Sequence, residues 1–365
     1  MSEIATEWKE LQSSGLALPF QNYEWCKAWV DHGANEFAIK QSIVCGRNHL
    51  QNTTFILPFQ KRSILGCESL EWLGQQAGIA CGGIYTEPFC SPQGETWFTS
   101  NMASLLLLLG RVDVLNLRNM PTTLMGRLSP LGILHQSQTA NASFILDLQT
   151  NYEALLAKKR SSRSISKMRR RDERLEESGT LTFESLQGAA AKDALIEGLH
   201  HKNLQLNQTG AGVVFKDIDI KYYLQILEAQ PQLLDVFRLR LNGKTLATMF
   251  GAKTNGYFCL LVSALAPDAN LQFSPGDYLL RRTIAYYCYN QFSAYDFGFG
   301  EQEYKQIWTD HPIVHFNAIK AQSFRGIAIA LVSNLTEQAK RKVKQNLCLR
   351  KAYYYLRKRL WASKS

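Results

Sequence analysis

The stretch Leu233–Leu265, LLDVFRLRLNGKTLATMFGAKTNGYFCLLVSAL, decides the fold. Phe237, Leu239 and Leu241 alternate with Arg238 and Arg240, the period of a strand with one buried face. Asn242-Gly243 follows, a pair that tolerates positive φ and so favours a tight hairpin turn. Lys244–Thr254 reads as the return strand, Asn255-Gly256 as a second turn and Tyr257–Leu265 as a third strand. Three antiparallel strands joined by tight turns form a meander.

Beyond the meander the period changes. In SPGDYLLRRTIAYYCYNQ (274–291), Leu279, Leu280, Ile284, Tyr287 and Cys288 share one helical face. Ser274 fits an N-cap and Pro275 the first helical position. AYDFGFGEQEYKQIW (294–308) then opens as a strand that carries Asp296 in its middle and breaks on Gly298 and Gly300. The order is meander, helix, strand. The first half repeats it more faintly. FAIKQSIVC and TTFILPFQKR are strand-like, CESLEWLG and GIACGGIYT look extended, TWFTSNMASLLLLLG is helical, and VDVLNLRN is a strand that again carries an aspartate, Asp113. The shared order predicts two copies of one α/β (α+β) unit, 1–145 and 146–338. Each would be a mixed, mostly antiparallel sheet flanked by helices.

Length and composition agree. A chain of 365 residues is comfortable for two domains. With 45% hydrophobic and 20% charged residues it is an ordinary folded protein and not a disordered one. The net charge of +10 favours anionic partners such as phosphates, nucleic acid, acidic polysaccharide or a membrane surface. None of the eight cysteines forms a C-x-x-C pair and no histidine cluster stands beside them, which predicts reduced thiols and no metal site. The start, MSEIATEWKE, has no signal-peptide pattern, and the longest apolar runs are too short to span a bilayer. A cytoplasmic protein is expected.

Two basic segments stand apart. Nine Lys or Arg residues lie between Lys158 and Arg174 on a helix with a sparse apolar stripe, compatible equally with a solvated connector and with a phosphate-binding face. From Ala339 to Ser365 there are ten cations and no acid, interleaved with Leu347, Leu349, Tyr353, Leu356, Leu360 and Trp361. This third segment, 339–365, reads as a basic amphipathic helix that packs on the domain or lies against an anionic membrane.

Several site types are absent from the sequence: there is no G-x-G-x-x-G after a strand, no phosphate-binding G-x-x-x-x-G-K-S/T, no G-x-S-x-G and no H-E-x-x-H. The run from Arg238 to Trp308 instead resembles the CelD/BcsL-type acyltransferases, a branch of the GNAT superfamily close in fold to the FemAB-type aminoacyl transferases. The residues that carry the likeness are Ser274-Pro275-Gly276 opening the helix, then Phe297, Gly300, Glu301, Tyr304, Lys305 and Trp308. KKRSSRSISKMRRRDERLEESG, the LHHKN element holding His200 and Lys202, and PFQNYEWC near the start also stand where that family has similar ones.

The resemblance implies two tandem GNAT-like folds and transfer of an acyl group to an amine or hydroxyl of a cell-envelope or exopolysaccharide precursor. It implies acyl-CoA as co-substrate and no metal. In such a sheet the central strands splay and the donor lies in the opening, beside Asp296. Tyr295, Phe297 and Phe299 would share one strand face, and Asp296 and the small Gly298 the other. Glu301, Tyr304 and Lys305, at i, i+3, i+4 spacing, would then bring a carboxylate, a phenol and an ammonium to one side of a turn, the groups that acyl transfer needs as base, acid and cation. The bland alternative is a surface Glu301–Lys305 pair and a capping Asp296. His200, Lys202 and Trp308 are expected on the substrate. The helix start at Ser274 and Gly276 would hold the coenzyme pyrophosphate, with Arg281 and Arg282 offsetting the repulsion of Asp277. The Q/R-x-x-G-x-G/A donor loop of GNAT enzymes is missing. Aminoacyl-tRNA is therefore a rival donor, and a non-catalytic scaffold of a polysaccharide synthesis complex is a rival of another class. Peripheral contact with an anionic membrane is expected through the C-terminus.

Overall fold

The computed structural model describes the chain except residues 149–150, 209–212, 268–270, 301, 347–348 and 350–365, and except the side chains of 33–37. The chain makes two compact units. Met1–Ser143 and the described residues from Ile313 onward form the first, and Phe144–Pro312 forms the second.

The first unit contains α1 (Ala5–Ser14), α2 (Tyr23–Phe37), β1 (Ile39–Arg47), β2 (Thr53–Ile64), β3 (Cys67–Trp72), β4 (Ile84–Tyr85), α3 (Pro92–Leu108), β5 (Val114–Pro121), β6 (Thr123–Leu124) and β7 (Arg127–Leu128). β8 (Ser137–Asp147) carries the chain out of it. β1, β2 and β3 are antiparallel neighbours. The β2–β3 turn uses Leu65 and Gly66, both at positive φ. β3 and β5 pair in parallel, which requires a crossover, and α3 supplies it. α3 starts where Ser91 accepts from the Gly94 N–H and Pro92 takes the first helical position. Trp8, Trp25, Phe55, Trp72, Tyr85 and Phe98 are fully buried here.

The second unit continues with α4 (Tyr152–Lys159), α5 (Ser162–Glu177), β9 (Leu181–Leu186), α6 (Gly188–Gln208), α7 (Asp217–Ala229), β10 (Leu234–Leu241), β11 (Lys244–Thr254), β12 (Tyr257–Leu265), α8 (Pro275–Tyr289), β13 (Ala294–Phe299) and α9 (Glu303–Trp308). Its strands lie in the order β9-β10-β11-β12-β13. The meander forms as its pattern predicts, with Leu241 facing Lys244 and Thr254 facing Tyr257. Asn242, Gly243, Asn255 and Gly256 all take positive φ, as two-residue turns of this hand require. The register shifts between Phe250 and Gly251, and a Cβ at Gly251 would stand 2.3 Å from the Cys259 carbonyl oxygen, so only glycine fits this bulge. α8 buries the face read from its sequence, packing Leu279, Leu280, Ile284, Tyr287 and Cys288 with Phe237, Leu239, Phe258 and Tyr295. Each large side chain so buried contributes roughly 1.5–3 kcal/mol.

β14 (His311–Ala321) leads back to the first unit, where it pairs antiparallel with β5, and α10 (Ile327–Gln345) follows. The expected class holds: α/β, with a mixed, mostly antiparallel sheet and flanking helices in each unit. The observed units differ from the spans 1–145 and 146–338 at one end. The chain leaves the second unit at Pro312, because the apolar positions of β14 complete the first unit's sheet. Of the segment 339–365, residues 339–345 end α10, while 347–348 and 350–365 lie outside the described residues.

Candidate active site

β12 and β13 pair in parallel over three rungs only: Tyr257 with Ala294, Phe258 with Tyr295, and Cys259 with Asp296. β12 then runs on to Leu265 and β13 to Phe299 without further pairing between them. Asp296 therefore stands where the pairing ends. Alternation explains its side. Tyr295 and Phe297 turn into the core against α8, and Asp296 takes the other face with Tyr257 and Cys259.

The Asp296 side chain is only 2% exposed. The Tyr257 hydroxyl donates to its Oδ2 at 2.7 Å, and the Gly298 N–H donates to Oδ1 at 2.7 Å. Gly298 is at φ +67°, a conformation that lets the chain fold its N–H back onto the carboxylate. Burial raises the proton affinity of Asp296, while Tyr257, the Gly298 N–H and the charge of Lys305 oppose it. Tyr257 and Cys259 are both held protonated, first by burial and then by the Asp296 charge beside them.

A buried lysine, Lys305, and a half-buried one, Lys202, hold the two diverging arms. Lys305 Nζ donates to the carbonyl oxygens of Phe299 (2.7 Å) and Gly298 (3.2 Å) on β13. Lys202 Nζ, from α6, donates to the Ser263 carbonyl oxygen on β12 at 2.9 Å. Burial lowers the Lys305 ammonium to about 8 despite the Asp296 charge, and burial lowers Lys202 as well.

The other expected residues are placed as follows. Tyr304 and Lys305 diverge instead of sharing one side of a turn. The Tyr304 ring lies edge-on to Phe297, 6.2 Å between centroids, against the core cluster, and burial pushes its phenol up to about 12. Glu301 lies outside the described residues. Trp308 is a fully buried core residue whose ring is covered by the Arg160 guanidinium at 5.4 Å. His200 is exposed, on a cleft between α6 and α7 that also involves Glu197, Phe215 and Ile220. Lys202, two residues on, points inward to β12.

At the start of α8 the structure builds an ion network. Ser274 sits at φ +49° and makes no side-chain cap; its hydroxyl accepts from Arg171 at 3.2 Å. The Asp277 carboxylate accepts from Arg171 (2.6 Å), Arg160 (3.1 Å) and Arg281 (3.1 Å). Asp172 holds Arg281 through two bonds of 2.7 and 2.8 Å. A Cβ at Gly276 would meet Leu265 Cδ2 at 3.1 Å, so this glycine faces packed side chain. Arg282 is exposed and lies over the Phe183 ring at 5.4 Å, away from the other three. Ser274, Gly276 and Arg281 are thus brought together, but with Asp277 already neutralised by arginines from the basic segment.

Reasoning from sequence missed Tyr257, Arg160, Arg171 and Asp172. Tyr257 had a usable signal, since it opens the strand that parallel pairing must set beside Asp296. The arginines had none, because their partner lies more than 100 residues along the chain.

Residues 160–306, all within the second unit, match the acetyltransferase (GNAT) domain family. Among solved structures the chain resembles FemX, with a TM-score of 0.57 at 10% identity over 86% of this chain and 96% of that one. It also resembles the C-terminal domain of a putative lysylphosphatidylglycerol synthetase from Agrobacterium fabrum, with a TM-score of 0.53 at 12% identity over 90% and 94%. No curated protein matches. The second unit is accordingly an acyltransferase domain of GNAT type.

Proposed function

We propose that the second unit transfers an acyl group from acyl-CoA to an amine or hydroxyl of a cell-envelope or exopolysaccharide precursor, as the CelD/BcsL-type likeness implies. The observation that carries this reading is the buried Asp296–Tyr257 pair at the point where β12 and β13 stop pairing. The acceptor nitrogen or oxygen attacks the thioester carbonyl carbon. A C–N or C–O bond forms and the C–S bond breaks. The acceptor's proton passes to the Tyr257 oxygen while the Tyr257 proton moves to Asp296, and the same relay in reverse returns one proton to the departing thiolate. Lys305 fixes the β13 arm and lends positive charge to the site. Tyr304 keeps the Phe297 side of that arm packed. The test is thiol release from acetyl-CoA with amino-sugar acceptors. Wild type should release thiol only with an acceptor present, and Asp296→Asn and Tyr257→Phe should each lower turnover at least about tenfold. Absence of acyl-CoA binding by calorimetry would remove this donor.

A second reading keeps the chemistry and changes the donor to aminoacyl-tRNA. One observation favours it. Arg163, Lys167, Arg170 and Arg174 are all exposed on α5, at the i, i+4, i+7, i+11 spacing of one helical face. Arg160 and Arg171 of the same basic segment are turned inward to Asp277, so this face is what remains for a polyanion.

A further inference from the structure

α10 is amphipathic in the wrong sense for a helix that merely covers its own unit. Toward the first unit's sheet it presents Ile329 beside small and polar groups: Ala330 packs on Val114 and Ile319, Asn334 donates to the Ile319 carbonyl at 3.0 Å, and Glu337 pairs with Arg118 at 2.7 Å. Outward it presents Ile327, Leu331, Val332 and Leu335, each 50–63% exposed. Beside its start, three turns converge. Cys67 Sγ donates to the Arg325 carbonyl at 3.3 Å, Arg111 donates to the Gly66 carbonyl at 3.2 Å, and Ser323 donates to Asp113 at 2.6 Å. A Cβ at Gly326 would stand 2.0 Å from the Asp113 carbonyl oxygen, which shows how closely these turns pack. Their tips and the last turn of α3, which leads into one of them, carry Leu65, Leu107, Leu108 and Phe324, each 80–93% exposed. Monomeric proteins rarely leave so many large apolar side chains together in water.

We propose that this end of the first unit docks on an anionic lipid bilayer, with the tips of the three turns and the outer face of α10 entering the interface. Two features select this occupant. The apolar groups project from separate turns, so a protein partner would need a separate pocket for each, whereas a bilayer accepts them independently. The accompanying charge is mostly positive: from Lys320 to Asn346 the chain has six cations (Lys320, Arg325, Lys340, Arg341, Lys342, Lys344) against one acid, Glu337, which pairs with Arg118 and Lys340. Such cations are drawn to anionic headgroups. Among the described residues no helix is long and apolar enough to cross a membrane, so contact would be with one leaflet. The proposal does not depend on the identity of the acyl donor.

Flotation of the full chain with phosphatidylcholine vesicles, with and without about 30% phosphatidylglycerol, tests it. Wild type should float with the anionic vesicles and lose that binding as salt rises. The paired changes Leu65→Ser with Phe324→Ser, and Leu331→Ser with Leu335→Ser, should each lower vesicle partition at least about tenfold while the melting temperature stays put, because these side chains are already in water. Wild-type partition in both paired variants would overturn the proposal. So would loss of partition only on deleting 347–365, which would assign the membrane contact to the C-terminal segment. Concentration-dependent dimers that the same changes dissolve, without vesicle binding, would instead assign the face to a second copy of the chain.

Discussion

The Tyr257 hydroxyl donates to the Asp296 carboxylate at 2.7 Å, from the first residue of β12 to the third of β13, just where the two strands cease to pair. A carboxylate this buried is retained at a cost, since an isolated buried charge is strongly disfavoured in a low-dielectric interior. Here it has the Tyr257 hydroxyl, the Gly298 N–H, the Cys259 thiol and a nearby ammonium to offset that cost. We expect Asp296→Asn to lower acyl-transfer turnover at least about tenfold with little change in melting temperature, because the amide removes the proton acceptor and also an expensive charge. Wild-type turnover with the true substrates would take Asp296 out of the mechanism.

Lys305 gives a pH signature. Its affinity for a proton falls on folding, from the ordinary lysine value to about 8, because burial penalises the ammonium. Below about 8 both folded and unfolded chains hold this proton, and the fold bears the burial cost. Between there and about 10.4, the usual lysine value, the unfolded chain holds more of it, so this group's contribution to stability rises with pH through that window. Lys305→Met abolishes the rise. In urea unfolding at pH 7 and pH 10, the mutant should fall further behind wild type at pH 10. A gap that does not change with pH would show that Lys305 does not titrate in that window.

Asp277 is the hub of Arg160, Arg171 and Arg281. Removing it leaves three guanidinium groups facing one another with only Asp172 to offset them. Asp277→Ala should cost about 3 kcal/mol, the lower end of what breaking a buried ion pair costs, since its side chain keeps some exposure. Denaturant titration reads this directly. A loss under about 0.5 kcal/mol would mean that the network is loose in solution.

The outer stripe of α5 separates the two donors. If tRNA binds there through Arg163, Lys167, Arg170 and Arg174, the logarithm of affinity should fall against the logarithm of salt with a slope of about −3, and changing all four to glutamine should flatten it. Acetyl-CoA affinity should be indifferent to the same changes. The reverse pattern, with coenzyme binding lost and tRNA binding kept, would assign the stripe to the coenzyme.

Much of this was legible in the sequence. The meander, its two Asn-Gly turns, α8 and β13 rest on local rules of period and turn chemistry, and they appear with their predicted buried faces. Asp296 stood out because a charge inside an apolar strand demands partners. What was not legible depended on distant contacts. Tyr304 and Lys305 are adjacent on a short helix and so point about 100° apart, one into the core and one to the β13 carbonyls. Trp308 was expected on the substrate, but apolar periodicity alone cannot tell a pocket wall from a core. The pyrophosphate seat at Ser274 was inferred from a helix start, and the structure shows that start already engaged by arginines whose approach no local pattern encodes. The return of the chain to the first unit at residue 313 was hidden for the same reason: β14 is an ordinary strand by its pattern, and only its pairing with β5 shows which sheet it completes.

That pairing bears on how the protein is made. The described residues of the second unit form one uninterrupted segment, 144–312, inserted within the first. A chain emerging from the ribosome has all of that segment available before either β14 or α10 has been synthesised. The inner unit can therefore finish folding while β5 still lacks its antiparallel neighbour, exposing a strand edge on the nascent outer unit. The order of domain completion is thus the inverse of the order in which the domains begin, and translation stalled soon after residue 312 should leave an acyltransferase domain folded beside a first unit open at β5.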